Sequence, residues 1–227
     1  MSERTFDRLI VPFVLAVAAA THAFAFSPRF IGQPLFVWIL VGPLSLLAGL
    51  SVFRMYRDGT LLDLFRVRQG DVTVGVVSAA ALGLAVFLAR AQVFSPGTPA
   101  DAWLLRIYFH LGKVPDDRAG YAVLAFGVLL AALLDEIVWR GLVQQVLEEK
   151  FGVKRGWLFT AALYGLAYLP TMWMLRMPPA GLNPLLPELA VLTGTVWGFL
   201  AGRVQRLPPV LLSHALFMFA FGLSYRL

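Results

Sequence analysis

Long apolar stretches separated by short polar segments dominate this chain of 227 residues. Seven of these stretches come close to the ~20 residues that an α-helix needs to cross a bilayer. A further apolar segment near residues 101–112 is too short to span and predicts an interfacial or re-entrant helix. The pattern therefore predicts an all-α, polytopic integral membrane bundle of about seven transmembrane helices, or eight with the interfacial helix. The predicted spans are residues 9–26, 35–53, 74–93, 121–147, 157–175, 185–201 and 209–224.

The amino-acid composition excludes an ordinary soluble domain. Hydrophobic residues make up 59% of the chain and charged residues 14%, and the mean hydropathy is +0.76. No soluble domain or internal repeat interrupts the spans, so residues 1–227 are predicted to form one integral-membrane domain. Because the chain has no cysteine, disulfides, thiolate catalysis and cysteine-bound metals are excluded.

Basic residues lie mainly between the apolar stretches and near their ends. The net charge of +6 therefore indicates membrane topology and contacts with lipid headgroups, and we expect no nucleic-acid partner. With a cytoplasmic N-terminus, eleven Lys and Arg residues face the cytoplasm and seven face the other side, which satisfies the positive-inside rule. We expect an integral protein of a bacterial cytoplasmic (inner) membrane with its N-terminus in the cytoplasm. The eleven are Arg4, Arg8, Arg54, Arg57, Arg66, Arg68, Lys150, Lys154, Arg155, Arg203 and Arg206, and the seven are Arg29, Arg90, Arg106, Lys113, Arg118, Arg176 and Arg226.

Three ionisable residues interrupt the fourth predicted span: Asp135, Glu136 and Arg140. A charge at the centre of a span costs roughly 2.5 to 3.5 kcal/mol on insertion scales, so such residues indicate a functional site. Glu136 and Arg140 are four residues apart, on one helix face with the acid first, and can pair along the helix. Because successive residues point about 100° apart on an α-helix, Asp135 does not share the direction of Glu136. Its carboxylate is therefore available for a role other than the pair with Arg140.

Polar groups are sparse in the later spans. His214, in the last span, is equally consistent with a hydrogen bond between helices and with a catalytic role. Tyr164 and Tyr168 are four apart in the fifth span, and taken alone they favour packing. Gly194 and Gly198 have a small-xxx-small spacing, which predicts close helix packing.

Four other polar residues are predicted to have no part in a site. Glu148 and Glu149 close the fourth helix near Lys150 and are predicted to be solvated. His22 and His110 have no obvious partner in the sequence and are interpreted as structural.

The order of these groups resembles the CAAX protease and bacteriocin-processing family, also called the CPBP or Abi family. The resemblance covers about the last hundred residues, with a family-like core at about 121–224. The family's Glu-Glu-xxx-Arg motif aligns with Asp135, Glu136 and Arg140, its Phe-xxx-His motif with Tyr164 and Tyr168, and its His-xxx-Asn motif with His214 and Met218.

This resemblance implies an intramembrane endopeptidase that cleaves a membrane-associated protein or peptide. In that reading Asp135 activates a water with help from Tyr168, His214 stabilises the oxyanion, and Arg140 neutralises Glu136. Tyr164 and Met218 are then predicted to contact the substrate. No cofactor is implied, and the oligomeric state cannot be predicted.

Three positions depart from the family motifs. Asp135 shortens the acid by one methylene, and Tyr168 is a phenol with a pKa of about 10 in place of an imidazole. Met218 removes an oxyanion donor, a loss of roughly 2.7 to 4 kcal/mol where one such donor was deleted elsewhere. Only His214 among the matched positions is a histidine, so we predict no metal site, since catalytic zinc takes three protein ligands.

Three functions remain open at this point. The first is an active intramembrane protease of the glutamic type. The second is a pseudoprotease that binds hydrophobic or lipid-modified peptides without cutting them. The third is a proton-coupled transporter with Asp135 and His214 as a relay, which the lack of an inverted repeat disfavours.

Overall fold

The computed structural model describes residues 3–112, 115 and 117–220. Lys113 and Arg226 from the count of basic residues, and the end of the last predicted span, lie outside this part. The described residues form eleven α-helices and no β-strand. They are α1 (Glu3–Ala25), α2 (Leu35–Arg57), α3 (Leu61–Phe65), α4 (Asp71–Val93), α5 (Pro99–Leu111), α6 (Arg118–Val138), α7 (Gln144–Phe151), α8 (Val153–Tyr168), α9 (Pro170–Met174), α10 (Leu185–Val204) and α11 (Pro208–Met218).

The predicted all-α membrane bundle is confirmed. Four helical segments are long and apolar enough to cross a bilayer: Leu35–Arg57, Asp71–Arg90, Arg118–Phe151 and Leu185–Val204. Two shorter apolar helices, Leu9–Ala25 and Pro208–Met218, accompany them. The predicted short helix near 101–112 is α5, whose first turn is capped by the Thr98 hydroxyl, which accepts a hydrogen bond from the Asp101 amide. The protein is therefore an integral membrane helical bundle.

The helix that carries the three charges is longer than predicted and is not regular. It runs from α6 into α7 through a π-helical turn at Trp139–Val143. A π-helical turn inserts one extra residue, so the side chains after it are rotated relative to a continuous α-helix. Arg140 and Gly141 lie in this turn, four and five residues after Glu136 on α6.

The fifth predicted span, residues 157–175, is divided between α8 and α9. The break falls at Leu169, because Pro170 has no amide hydrogen to donate within a helix and restricts the residue before it. The break follows Tyr168 directly, so that tyrosine ends α8.

Small residues bring α8 and α10 together, as the glycine spacing predicts. A Cβ atom on Gly194 would lie 2.9 Å from Cδ1 of Tyr164, and one on Gly198 would lie 3.3 Å from the Trp157 carbonyl oxygen. In return, Gly165 of α8 accommodates the side chain of Val191. This close approach fixes Tyr164 against α10 and next to α6.

The predicted solvation of Glu148 is wrong. Its side chain is 8% exposed and accepts hydrogen bonds from the Gln144 amide at 2.6 Å and the Gln205 amide at 3.1 Å. Gly156 and Gly202 leave the space beside it that a larger residue would fill. Glu149 is exposed as predicted, with 60% of its side chain accessible, and it pairs with Arg54. Helix periodicity could not distinguish these neighbours, because it does not reveal which face α8 and α10 cover.

Candidate active site

Asp135 and Glu136 are adjacent on α6 but lie in different surroundings. Both are buried, with 5% and 0% exposure. Because successive residues point about 100° apart on a helix, Glu136 faces α11 while Asp135 meets α8. Each carboxylate therefore belongs to its own set of partners.

Both oxygens of Glu136 are engaged. Oε1 lies 2.7 Å from Nδ1 of His214, and Oε2 lies 3.2 Å from Nε of Arg140. The second contact is an ion pair without hydrogen-bond alignment, since both atoms lack a hydrogen-bond partner by geometry. We interpret it as charge attraction between two fully buried groups. The spacing of four residues thus produces the pair that it predicts.

Arg140 ties three helices together. Its Nη2 donates to the Gly194 carbonyl oxygen at 3.2 Å, which links α6 to α10. The guanidinium also lies over the Tyr164 ring, 4.9 Å from the centroid, and near the Trp197 ring at 5.8 Å. A buried cation with a carboxylate, a carbonyl and two aromatic faces around it is held in one position.

His214 is fixed by a stacked ring as well as by Glu136. Its imidazole lies parallel to the Trp197 indole, with 3.8 Å between centroids and 23° between planes. The indole Nε1 in turn donates to Oγ of Ser213 at 3.1 Å. A carboxylate only accepts hydrogen bonds, so Nδ1 of His214 carries a hydrogen toward Glu136. Nε2 is then the atom through which this ring can act on another molecule.

Asp135 has one protein partner in the described part of the chain. Tyr164 donates its hydroxyl hydrogen to Oδ2 of Asp135 at 2.6 Å. Oδ1 has no hydrogen bond to a described residue. Tyr164, which the sequence assigned to substrate contact, is thus the tyrosine that holds the acid. Its ring is itself buried against the Trp139 ring.

Tyr168 lies one step farther from the acid. Its hydroxyl is 3.5 Å from the Tyr164 hydroxyl, which places both tyrosines on one face as their spacing predicts. The ring of Tyr168 stacks on the imidazole of His22 from α1, with 3.9 Å between centroids and 29° between planes. His22 was interpreted as structural from the sequence. It is 146 residues before Tyr168, and an isolated histidine in an apolar stretch was the only signal available.

Met218 is placed among apolar side chains. It is partly buried and packs against two clusters, one around Phe36 and Leu124 and one around Trp197 and Phe217. Its thioether cannot donate a hydrogen bond. Met218 therefore contributes apolar packing and no hydrogen-bond donor.

Three buried side chains of the site are potential metal ligands. Ligand atoms of Asp135, Glu136 and His214 all lie within 4.8 Å of one another. However, both Glu136 oxygens are engaged, and Arg140 already places a positive charge beside them. A divalent cation would have to displace the arginine from a buried position, so these residues fit a metal poorly.

Comparison with known proteins agrees with the motifs. A family model described as Rce1-like, type II CAAX prenyl endopeptidase Rce1-like, matches residues 118–220. This segment is a little under half of the chain and contains Asp135, Glu136, Arg140 and His214 together with both tyrosines. No curated protein and no solved structure matches the chain. The membrane-embedded segment that carries the buried charges is thus similar to the Rce1-like type II CAAX prenyl endopeptidases, and this match confirms the family that the motifs predicted.

Proposed function

We propose that the protein is an intramembrane endopeptidase in which Asp135 activates a water to cleave a membrane-associated protein or peptide. The observation that carries this proposal is the unequal engagement of the two acids. Glu136 has no oxygen left for a water, whereas Asp135 keeps Oδ1 free of protein hydrogen bonds. A general base needs an oxygen within hydrogen-bond reach of the proton that it takes.

The proposed reaction is addition of water to the peptide carbonyl. Oδ1 of Asp135 accepts a proton from the water while the water oxygen bonds to the carbonyl carbon, and the carbonyl oxygen becomes an oxyanion. The carbon–nitrogen bond then breaks, and the leaving amine takes the proton from Asp135. Tyr164 holds Oδ2 throughout, which keeps Oδ1 directed at the water.

His214 is the proposed group that stabilises the oxyanion. Its Nδ1 lies 2.7 Å from Oε1 of Glu136, so Nε2 is the ring atom left to approach the oxyanion, and it donates there when it carries a hydrogen.

We propose that the hydrophobic part of the substrate binds in an apolar groove between α4 and α10. Its volume is about 600 Å³, and Val77 and Leu192 are exposed in it. Leu82 and Val196 line the groove and also pack with Trp197, whose ring covers His214. The groove thus lies one aromatic ring away from the proposed oxyanion site. A chain entering from the lipid would bury its apolar surface there before reaching the acid.

Binding without cleavage is the second candidate function. Tyr168 and Met218 support it, because a phenol is a poor base near neutral pH and a thioether donates no hydrogen bond. Under this reading, the double variant Tyr168→His with Met218→Asn gains cleavage that the unmodified protein lacks. Under the first reading, the unmodified protein already cleaves.

The test is cleavage of a prenylated peptide with a C-terminal CAAX sequence by the purified protein in lipid vesicles. We expect cleavage that Asp135→Asn lowers by about 10³-fold or more, because the amide still accepts from Tyr164 but takes no proton. Glu149→Gln is the matched control, since it removes an exposed carboxylate from the same long helix. The unprenylated peptide should show a higher KM. Full activity of Asp135→Asn would show that Asp135 is not the base.

A further inference from the structure

A small pocket lies outside the proposed active site, where α5 and α9 meet the turn that follows α1. Its volume is about 300 Å³, and it is lined by Pro28, Arg106, Trp173, Met174 and Arg176. The pocket shares no lining residue with the apolar groove between α4 and α10. The proposed reaction does not use it, and Arg106 precedes the residues of the family match.

Hydrogen bonds on both sides of Arg106 hold its helix in place. One turn before it, the Trp103 indole donates to the Ala180 carbonyl oxygen at 3.0 Å. One turn after it, Nε2 of His110 lies 3.0 Å from the Ala25 carbonyl oxygen, which accepts its hydrogen. Helix α5 is thus anchored both to the segment after α9 and to the end of α1. The walls of the pocket are therefore positioned by the fold.

Two guanidinium groups line this pocket without a carboxylate partner in the described part of the chain. Arg106 is partly buried, and its Nε is a buried donor with no hydrogen bond to a described residue. Arg176 is exposed. By contrast, Arg54, Arg140 and Arg206 each pair with an Asp or a Glu. Because a buried donor without a partner costs free energy, the two groups predict an anionic ligand.

The chemistry of the two side chains favours a phosphate. A guanidinium presents a planar fork of N–H donors, which binds two oxygens of a phosphate at once. Two such groups in the lining of one pocket can bind different oxygens of the same phosphate. Free phosphate and the headgroup of a phospholipid both supply this chemistry.

The rest of the lining favours the phospholipid. The Trp173 ring is 51% exposed, and Met174 beside it packs on the apolar cluster around Leu175 and Phe26. Tryptophan is enriched at the level of the headgroups because its ring is amphipathic. Helix α5 is too short to span a bilayer and suits a position in the membrane surface. Acyl chains would cover this apolar surface, whereas a free phosphate would leave it exposed.

We propose that this pocket binds the phosphate of an anionic phospholipid. The phosphate oxygens accept hydrogen bonds from Arg106 and Arg176, and the acyl chains pass over Trp173 and Met174. Basic pockets between transmembrane helices are suited to anionic headgroups. The inference goes beyond the proposed peptidase function and does not depend on it, because lipid binding is measured without cleavage.

The test is quenching of tryptophan fluorescence by phosphatidylglycerol with brominated acyl chains, titrated into the purified full chain in micelles of an uncharged detergent. Bromine quenches a tryptophan that it contacts, so Trp173 reports on a lipid in the pocket. Phosphatidylcholine with the same brominated chains has no net charge and measures contact with lipid in general. We expect phosphatidylglycerol to quench at the lower concentration, and Trp173→Phe to abolish this difference.

Substitutions of the two arginines test the pocket itself. Arg106→Gln should raise the Kd for phosphatidylglycerol by about 10-fold, because a partly buried charged hydrogen bond is lost. Arg176→Gln should raise it by about two- to fivefold, since an exposed charge contributes less. Arg106→Lys keeps the charge without the planar fork and should lie between Arg106→Gln and the wild type. The matched control is Arg66→Gln with Arg68→Gln, which removes two exposed charges between α3 and α4.

Several results would overturn the proposal. An unchanged Kd in Arg106→Gln would show that the pocket is not the site, and an equal rise in the control would show that surface charge alone attracts the lipid. If Arg106→Gln does not fold, Arg176→Gln carries the same test at an exposed position. Sodium phosphate in place of sodium chloride, at constant ionic strength, separates the two sources of phosphate. We expect the quenching to persist, and displacement of the lipid would make this a site for free phosphate instead.

Discussion

The two buried acids on α6 point to different sides of the helix and differ in how their charge is paired. On one side, Glu136 is held by Arg140 and His214, and we call these three residues the charge clamp. On the other side, the Asp135 carboxylate, the Tyr164 hydroxyl and the Tyr168 hydroxyl lie next to one another, and we call these three residues the tyrosine row. Each Glu136 oxygen in the clamp faces a cation or a ring nitrogen, whereas Oδ1 of Asp135 in the tyrosine row has no hydrogen bond to a described residue. Neighbouring residues of one helix therefore differ in how fully they are paired, and the less paired acid is the one to which we assign the proposed chemistry.

The largest expected effect comes from breaking the clamp. Arg140→Met leaves Glu136 buried without its cation and the Gly194 carbonyl without its donor. We expect the free energy of unfolding in mixed micelles to fall by about 3 to 5 kcal/mol. The double variant with Glu136→Gln should recover part of this loss, because no unpaired charge remains. Equal stability of Arg140→Met and the wild type would show that the clamp does not hold the helices.

Breaking the row should change activity more than stability. Tyr164→Phe removes the 2.6 Å hydrogen bond to Asp135, and bonds to charged groups contribute about 1.5 to 3 kcal/mol. We expect kcat on the prenylated peptide to fall by about 10- to 100-fold. Tyr168→Phe, which leaves that bond intact, should lose less. If Tyr168→Phe proved the more harmful change, the order of groups in the row would be wrong.

Gly194 contacts both the charge clamp and the tyrosine row, and a substitution there should have a smaller effect than those above. Its carbonyl accepts from Arg140, while its Cα hydrogens face the ring of Tyr164. In Gly194→Ala the new Cβ meets Tyr164 at 2.9 Å, so the ring must shift and kcat should fall by about two- to fivefold. Gly198→Ala is the control, because its nearest atom is 3.3 Å away on Trp157 and not on the site. Equal kcat values for the two variants would contradict this link.

Removal of metal ions should have the smallest effect. Because Arg140 occupies the charge position beside Glu136, we expect treatment with a chelator to change the cleavage rate by less than about twofold. Cleavage of the prenylated peptide, measured before and after dialysis against the chelator, is the readout. Loss of cleavage, with recovery on adding zinc, would mean that Asp135, Glu136 and His214 bind a metal after all.

Residues close together along the chain were predicted well. Glu136 pairs with Arg140, and Tyr164 shares a helix face with Tyr168. Both follow from helix geometry over a spacing of four residues, and that spacing can be read directly from the sequence. The division of the fifth span at Leu169 was missed, although Pro170 is the signal that could have predicted it.

Residues far apart along the chain were predicted poorly. The burial of Glu148 depends on Gly156 and Gly202, which come from two other helices. The contact of His22 with Tyr168 depends on how α1 packs on α8 across more than a hundred residues. Neither helix periodicity nor local hydropathy contains that information.

The sequence by itself determined the membrane class, the family resemblance and the helix that carries Asp135, Glu136 and Arg140. Hydropathy over ~20 residues and spacing over four residues are local properties, so they can be read along the chain. Only the tertiary structure decided which tyrosine holds Asp135 and that a histidine from α1 reaches the site. Those choices depend on close packing of helices at glycines, and packing is a property of all the helices together.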